Sequence, residues 1–217
     1  MNKLWENLLD FLYPARCILC RKALDPGRPR ICASCMENYP KPEKGARTIG
    51  NYFSQCVSAA YYEGAMAEAI RRYKFSGAQA YAHAFGELLA ACIYEELDGE
   101  YDILSWVPLA PDRYRRRGYD QTELLAADAA RRLMTPLTPT LAKRRRVRAQ
   151  SLTGSPERRR ANIAGAYRVI DPAAVAGKRI LLVDDIITSG STLSECARTL
   201  LLAGAEEVLC ATLARTR

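Results

Sequence analysis

The stretch Leu181 to Leu193, LLVDDIITSGSTL, constrains the fold of this chain more than any other. Ile180 to Val183 is an unbroken run of leucine and β-branched side chains, as expected of a parallel strand buried on both faces. Two acids, Asp184 and Asp185, follow it directly. Next come the small and hydroxyl residues Thr188, Ser189, Gly190, Ser191 and Thr192, and then a helix over Ser191 to Leu202 closed by Gly204. Carboxylates accept hydrogen bonds from vicinal ribose hydroxyls, while amides and hydroxyls at a helix N-terminus donate to a phosphate. Gly190 lets the backbone approach such an anion closely. The carboxyl end of a buried strand is also where open α/β sheets place their ligands. The plainer alternative is a capped helix, with Ser191 or Thr192 as the N-cap. A cap uses one hydroxyl, however, and this loop supplies four in five residues behind two acids. A Walker-type loop is excluded, because the lysine after its glycine is missing.

The remaining elements agree with a doubly covered sheet. Gly64 to Phe75, Ala78 to Leu97 and Gln121 to Met134 read as helices, the first two separated at Phe75-Ser76-Gly77. Ile103 to Val107 is a short buried strand ending at Pro108, and Glu207 to Leu213 returns as a strand. Strands alternating with helices predict an α/β fold with a parallel sheet. With 217 residues, 49% of them hydrophobic, the chain suits one such domain plus a small appendage. It divides into an N-terminal helix and cysteine-rich element over 1–40, a connector over 41–56, and the α/β domain over 57–217.

The front of the chain carries a second signal. Cys17-Ile-Leu-Cys20 and Cys32-Ala-Ser-Cys35 are two CxxC knuckles, eleven residues apart. Cys17, Cys20, Cys32 and Cys35 can close a tetrahedral shell around Zn2+, and a full shell of thiolates leaves no place for a catalytic water. The short Pro-, Gly- and Arg-rich loop between them makes the metal a source of stability for this piece. A dithiol redox pair is the lesser reading, and spacing alone does not separate zinc from an iron–sulfur cluster. Cys56, Cys92, Cys196 and Cys210 lie among apolar residues and read as core. The single histidine, His83, reads as a packing or surface residue, which argues against Ser-His or Cys-His nucleophilic chemistry. The first residues, MNKLWENLLDFLYP, read as a short amphipathic helix bearing Leu4, Trp5, Leu8, Leu9 and Leu12, not as an export signal. No apolar run is long enough to span a membrane, so a cytoplasmic protein with reduced cysteines is expected.

Two-acid strand ends followed by TSGST resemble the fingerprint of the type I phosphoribosyltransferases. VPLAPDRYRRRGYDQTELLA (107–126), AQSLTGSPERRRANIAGAY (149–167) and the cysteine-rich front narrow the resemblance to the ComF/GntX family, over nearly the whole chain. That resemblance implies a type I phosphoribosyltransferase-like parallel sheet flanked by helices, with a small N-terminal zinc-binding element. It implies phosphoribosyl diphosphate as ligand together with Mg2+. Asp184 and Asp185 would bind the ribose hydroxyls, and Thr188, Ser189, Gly190, Ser191 and Thr192 the 5-phosphate. The family is associated with DNA uptake.

The formal charge of +8 is concentrated in two places. Arg113, Arg115, Arg116 and Arg117 lie in a polar stretch, expected as a loop, after the strand ending at Val107. In the fold that the resemblance implies, that strand's exit loop faces the diphosphate, and guanidiniums there would neutralise the departing group through forked, charge-assisted bonds. Lys143 to Arg160 forms the other, and the resemblance points to a loop closing over the ligand, with Gln150, Arg158 and Asn162 as its contact residues. Lys74 falls at a helix end, where the dipole alone favours a cation, so a site role and a capping role weigh equally. Two functions follow. One is a phosphoribosyltransferase that passes the sugar to a nitrogen acceptor. The other is a non-catalytic protein that engages single-stranded DNA, or a DNA-uptake helicase or translocase, through the zinc element and the arginines. Tyr114 and Tyr119 are the aromatics nearest those arginines for stacking on bases.

Overall fold

The computed structural model describes residues 15–25, 30–75, 79–144 and 165–217. The expected helix over the first residues and the contact residues Gln150, Arg158 and Asn162 lie outside them. Four strands form one parallel sheet. In chain order they are β1 (Cys56–Tyr61), β2 (Ile103–Trp106), β5 (Arg179–Ile187) and β6 (Glu207–Arg215), and in space they run β1-β6-β5-β2. β3 (Leu141–Lys143) and β4 (Tyr167–Val169) pair antiparallel in a separate two-stranded sheet.

The central strands are apolar on both faces because helices cover both. On one side Leu181 and Val183 pack against α2 (Gly64–Phe75), α3 (Tyr81–Leu97) and α5 (Gln121–Leu133), through Ile70, Tyr73, Phe85, Leu89 and Leu125. On the other, Ile180 and Leu182 meet Leu193, Cys196 and Leu200 of α6 (Ser191–Leu202), with Leu141 and Tyr167 alongside. Ile180 to Val183 are 0% exposed. Burial of such side chains is worth about 1.5–3 kcal/mol each. Residues from the cysteine-rich front, Cys17, Ile18, Leu19 and Ile31, belong to the α2–α3–α5 side of the core.

Pairing lengths create the crevice. β2 runs beside β5 only from Ile103–Ile180 to Trp106–Val183, and the Val107 N–H closes that ladder on the Val183 carbonyl at 2.9 Å. Pro108 follows and cannot donate. β5 continues beside β6 as far as Ile187–Arg215. Asp184 and Asp185 therefore stand on a strand that outruns its neighbour. The chain leaves β2 toward α5 on one face and β5 toward α6 on the other, which makes this gap a topological switch point.

Two expectations are corrected here. β5 does not end at Val183: its apolar run stops there, but pairing with β6 carries the strand through both acids. The arginine stretch is not a loop but a short helix, α4 (Pro111–Arg117). Pro111 sits at its start, where a missing N–H costs nothing, and Gly118 ends it in the left-handed region at φ 78°. Ahead of these, α1 (Ala33–Asn38) carries Cys35.

Candidate functional site

Adjacent residues on a strand point to opposite faces, and the two acids do so. Asp185, 7% exposed, faces α2 and α5. Its Oδ1 lies 2.9 Å from Lys74 Nζ, and its Oδ2 accepts from Gln121 Nε2 at 3.1 Å. Asp184 is half-buried and accepts the Asp185 N–H at 2.8 Å. Burial, and after it the Asp185 carboxylate, push the Asp184 carboxyl up to about 8, while Lys74 and Lys143 pull it down.

The loop beyond β5 enters α6 through a left-handed glycine. Gly190 has φ 69° and ψ 0°, and serves as the N-cap of α6 without any side-chain capping bond. The Ser189 and Ser191 hydroxyls sit 2.9 Å apart, bonded to one another and not to the helix amides. Capping therefore does not account for the hydroxyls, and the first-turn N–H groups of α6 keep their electropositive character. Thr188 and Ser189 are exposed, while Ser191 and Thr192 are half-buried. A β-carbon at Gly190 would meet the Phe53 ring and Ile187 at an ordinary 3.7 Å, so backbone conformation and not space calls for glycine.

Lys74, the partner of Asp185, lines a cavity of about 330 Å³ together with Phe75, Arg116, Arg117 and Tyr119. Arg117 donates to Gln121 Oε1 at 2.6 Å and lies over the Phe75 ring at 4.9 Å, and its Nε is buried without a partner among the described residues. Burial lowers its pKa. Arg113, Arg115 and Arg116 are exposed on α4. Tyr119 is not available for stacking: it is 7% exposed, and its hydroxyl donates to the Tyr73 carbonyl. Tyr114, 48% exposed, is. Asp120 caps α5, accepting from the Thr122, Glu123 and Leu109 N–H groups at 2.9, 3.3 and 2.7 Å.

Sequence reasoning left Lys74 undecided and passed over Gln121, Tyr73 and Phe53. Lys74 and Gln121 meet Asp185 across 111 and 64 residues of chain. No local pattern announces such contacts. Phe53, in the stretch read as a connector, is 2% exposed, packs on Gly50 and stands beneath Gly190.

The cysteines converge. The sulfurs of Cys17, Cys20, Cys32 and Cys35 all lie within 4.8 Å of one another, and Cys20 and Cys32 are 3.8 Å apart. Zinc–sulfur bonds of 2.3 Å put neighbouring sulfurs of a tetrahedron about 3.8 Å apart. Both knuckles close the same turn, Arg21 N–H to Cys17 C=O and Met36 N–H to Cys32 C=O, each at 2.9 Å. The Cys32 N–H points at the Cys17 sulfur at 3.4 Å, as suits a thiolate. The donor set fits a structural Zn2+. Cys56, Cys196 and Cys210 are core residues, while half-buried Cys92 lines a second cavity, between α3 and the chain before β1. His83 is exposed and bonds Asp128 at 3.0 Å. No described helix is long and apolar enough to cross a membrane.

Residues 122–217 match the phosphoribosyl transferase domain and residues 8–57 the double zinc ribbon domain. The chain is 30% identical over 234 residues to the DNA utilization protein YhgH of Escherichia coli O157:H7, covering 94% of this chain and 98% of that one. It is 28% identical over 214 residues to Competence protein F of Haemophilus influenzae, covering 89% and 93%. It is 34% identical over 149 residues to Competence protein ComFC of Streptococcus pneumoniae, covering 68% and 62%. The sheet with its acid-bearing strand, the four-cysteine cluster and these relatives together show that the chain belongs to the ComF family of phosphoribosyltransferase-fold proteins with an N-terminal zinc element.

Proposed function

We propose that the crevice at the end of β5 binds phosphoribosyl diphosphate together with Mg2+. The observation that carries this is one continuous arrangement. A strand outruns its neighbour, presents two acids, and leads through a left-handed glycine into a helix N-terminus free of side-chain capping, while Lys74, paired with the second acid, lines a cavity together with Arg116 and Arg117. Asp184 and Asp185 serve the ribose hydroxyls, with Asp185 oriented by Lys74 and Gln121. Thr188 to Thr192 serve the 5-phosphate, and Arg116 and Arg117, with Arg113 and Arg115 nearby on α4, serve the diphosphate. The oxygen donor of Asp184 suits Mg2+, a hard cation bound through one or two carboxylates and substrate phosphates. Mg2+ supplies charge neutralisation on the diphosphate.

The reaction this arrangement serves is displacement of diphosphate from the anomeric carbon by a nitrogen nucleophile. The C–O bond to the diphosphate breaks, the C–N bond forms, and the acceptor's proton leaves to solvent. The protein's part is to orient the sugar and to stabilise the leaving charge with preorganised donors, with no protein nucleophile. Calorimetric titration of phosphoribosyl diphosphate with Mg2+ tests the binding, and diphosphate release screened over bases and amines tests the transfer. An Asp184→Asn/Asp185→Asn variant is expected to bind at least about tenfold more weakly, the loss of one to two charge-assisted bonds. Equal affinity in wild type and the double variant would sink the site.

A second reading draws on the names of the relatives, DNA utilization protein and competence protein, and on α4, where Arg113, Arg115 and Arg116 are exposed beside Tyr114. In it the arginines contact single-stranded DNA phosphates. Binding then weakens steeply as salt rises, survives the double asparagine substitution, and is lost when the three arginines become glutamates. Salt-independent binding, or binding indifferent to those arginines, excludes it.

A further inference from the structure

Three consecutive residues at the end of α2 reach in three directions. Arg72 Nη2 donates to the Ile18 carbonyl at 2.7 Å and lies 3.4 Å from the Leu19 carbonyl, both inside the Cys17–Cys20 turn. Tyr73, fully buried, donates its hydroxyl to the Gln121 carbonyl at 2.5 Å, and its own carbonyl accepts the Tyr119 hydroxyl. Lys74 meets Asp185 at 2.9 Å. The knuckle itself is wedged into the protein, with Ile18 at 1% and Leu19 at 4% exposure in the same apolar cluster as Ile70 and Tyr73. One helical turn thus touches the metal knuckle, the start of α5 and the acid pair.

We infer that the Cys17–Cys20 knuckle positions Lys74 against Asp185 through Arg72, so that Arg72 is a positioning residue of the crevice and metal occupancy tunes its affinity. The inference rests on reading the crevice as the phosphoribosyl diphosphate site. Two carbonyls of a four-residue turn face one guanidinium only while the turn holds its shape, and in a CxxC knuckle the metal holds it. Arg72 has little else to bond. Its Nε is buried without a partner among the described residues, and its Nη1 stands 3.6 Å from Glu68, whose side chain is 63% exposed. Without the knuckle carbonyls, a half-buried guanidinium whose Nε already lacks a partner among the described residues is left in the last turn of α2, the turn with the fewest backbone bonds of its own. Tyr73 and Lys74 are the next residues of that turn. A shift that lets Arg72 regain water moves both, and with them Gln121 and the Lys74–Asp185 pair.

The test uses the full chain. Arg72→Met keeps the stem packing and removes the donors, Arg72→Lys keeps the charge and a single donor nitrogen, and wild type is also examined after zinc chelation. Zinc per chain, hydrogen exchange, and phosphoribosyl diphosphate titration with Mg2+ are measured for each. Arg72→Met is expected to retain its zinc, to exchange faster at residues 72–74 and 119–122, and to bind the ligand about tenfold more weakly, the effect of losing one charge-assisted bond. Arg72→Lys recovers most of the affinity, and chelated wild type exchanges as Arg72→Met does at those residues. Zinc-loaded Arg72→Met with wild-type exchange and affinity overturns the coupling, and so does chelated wild type with unchanged exchange there. Wild type that does not bind the ligand at all removes the crevice reading, and the exchange comparison still decides the coupling. Should Arg72→Met not fold, the chelated wild type carries the same decision.

Discussion

Asp184 shows how far one carboxyl's placement sets the behaviour of the crevice. Its carboxyl is pushed up to about 8, first by burial and then by the neighbouring Asp185. An acid whose folded-state pKa stands above its unfolded value holds more protons folded than unfolded. Its contribution to stability is therefore full below the unfolded pKa and is lost as pH rises through about 8. Asparagine does not titrate, so the stability of Asp184→Asn relative to wild type is expected to rise between pH 4 and pH 8, by about 1 kcal/mol or more. Urea midpoints over a pH series check this, and a difference that stays flat refutes it. Ligand acts in the opposite sense. Ribose hydroxyls and Mg2+ favour the ionised carboxylate, so their binding expels a proton and strengthens as pH rises toward 8. Calorimetry in two buffers of different ionisation enthalpy reads that proton directly, with Asp184→Asn as the control for protons lost by the ligand itself.

At the scale of elements, two helix entries organise the crevice by different means. α5 begins at Asp120, whose single carboxylate accepts three N–H groups and ties the chain leaving β2 to the first turn of the helix. That turn carries Gln121 to Asp185. Asp120→Ala strands buried donors, and about 2 kcal/mol of stability should be lost, seen as a lower urea midpoint with an unchanged slope. α6 begins at a left-handed glycine, so Gly190→Ala should cost about 1–2 kcal/mol through φ alone and should weaken phosphoribosyl diphosphate binding as the loop shifts. An alanine protein of wild-type stability and affinity would remove the anion-loop argument. The same two entries show what a sequence reveals. α6 is legible to the residue, Ser191–Leu202, because strand, turn chemistry and helix period all change within a few positions. The start of α5 is legible too, since Asp120 precedes a clear amphipathic period. α4 is not, because seven mostly charged residues carry no apolar period, and its helix is set by Pro111 and Gly118. β3 and β4, three residues each, are too short for alternation to register. Lys74 and Phe53 acquire their roles only from partners distant in the chain, Asp185 and Gly190.

For the molecule as a whole, the question is whether the four-cysteine element behaves as an ornament or as part of one cooperative unit. Its spacing suggests a piece stabilised by its own metal, and its sulfurs are gathered as such a site requires. Yet Cys17, Ile18, Leu19 and Ile31 are each at most 4% exposed within the cluster that includes Val57, Met66, Ile70, Tyr73 and Val183. Arg72 adds a polar tie from α2 to the same turn. Exposing three or four buried side chains of this size costs several kcal/mol, at about 1.5–3 kcal/mol each, which is a large share of the 5–15 kcal/mol that holds a typical domain folded. Removing zinc should therefore lower the melting temperature of the whole protein in a single transition, by about 4 °C or more on the usual conversion for a chain of this size. Cys35→Ser, which deletes one thiolate from the less buried knuckle, should do the same and should no longer respond to added chelator. Scanning calorimetry separates the two views. An independent zinc element would melt in its own small transition and leave the main one where it was. A coupled element shifts the main transition, and it makes that shift depend on free zinc concentration, as binding to the folded state alone requires.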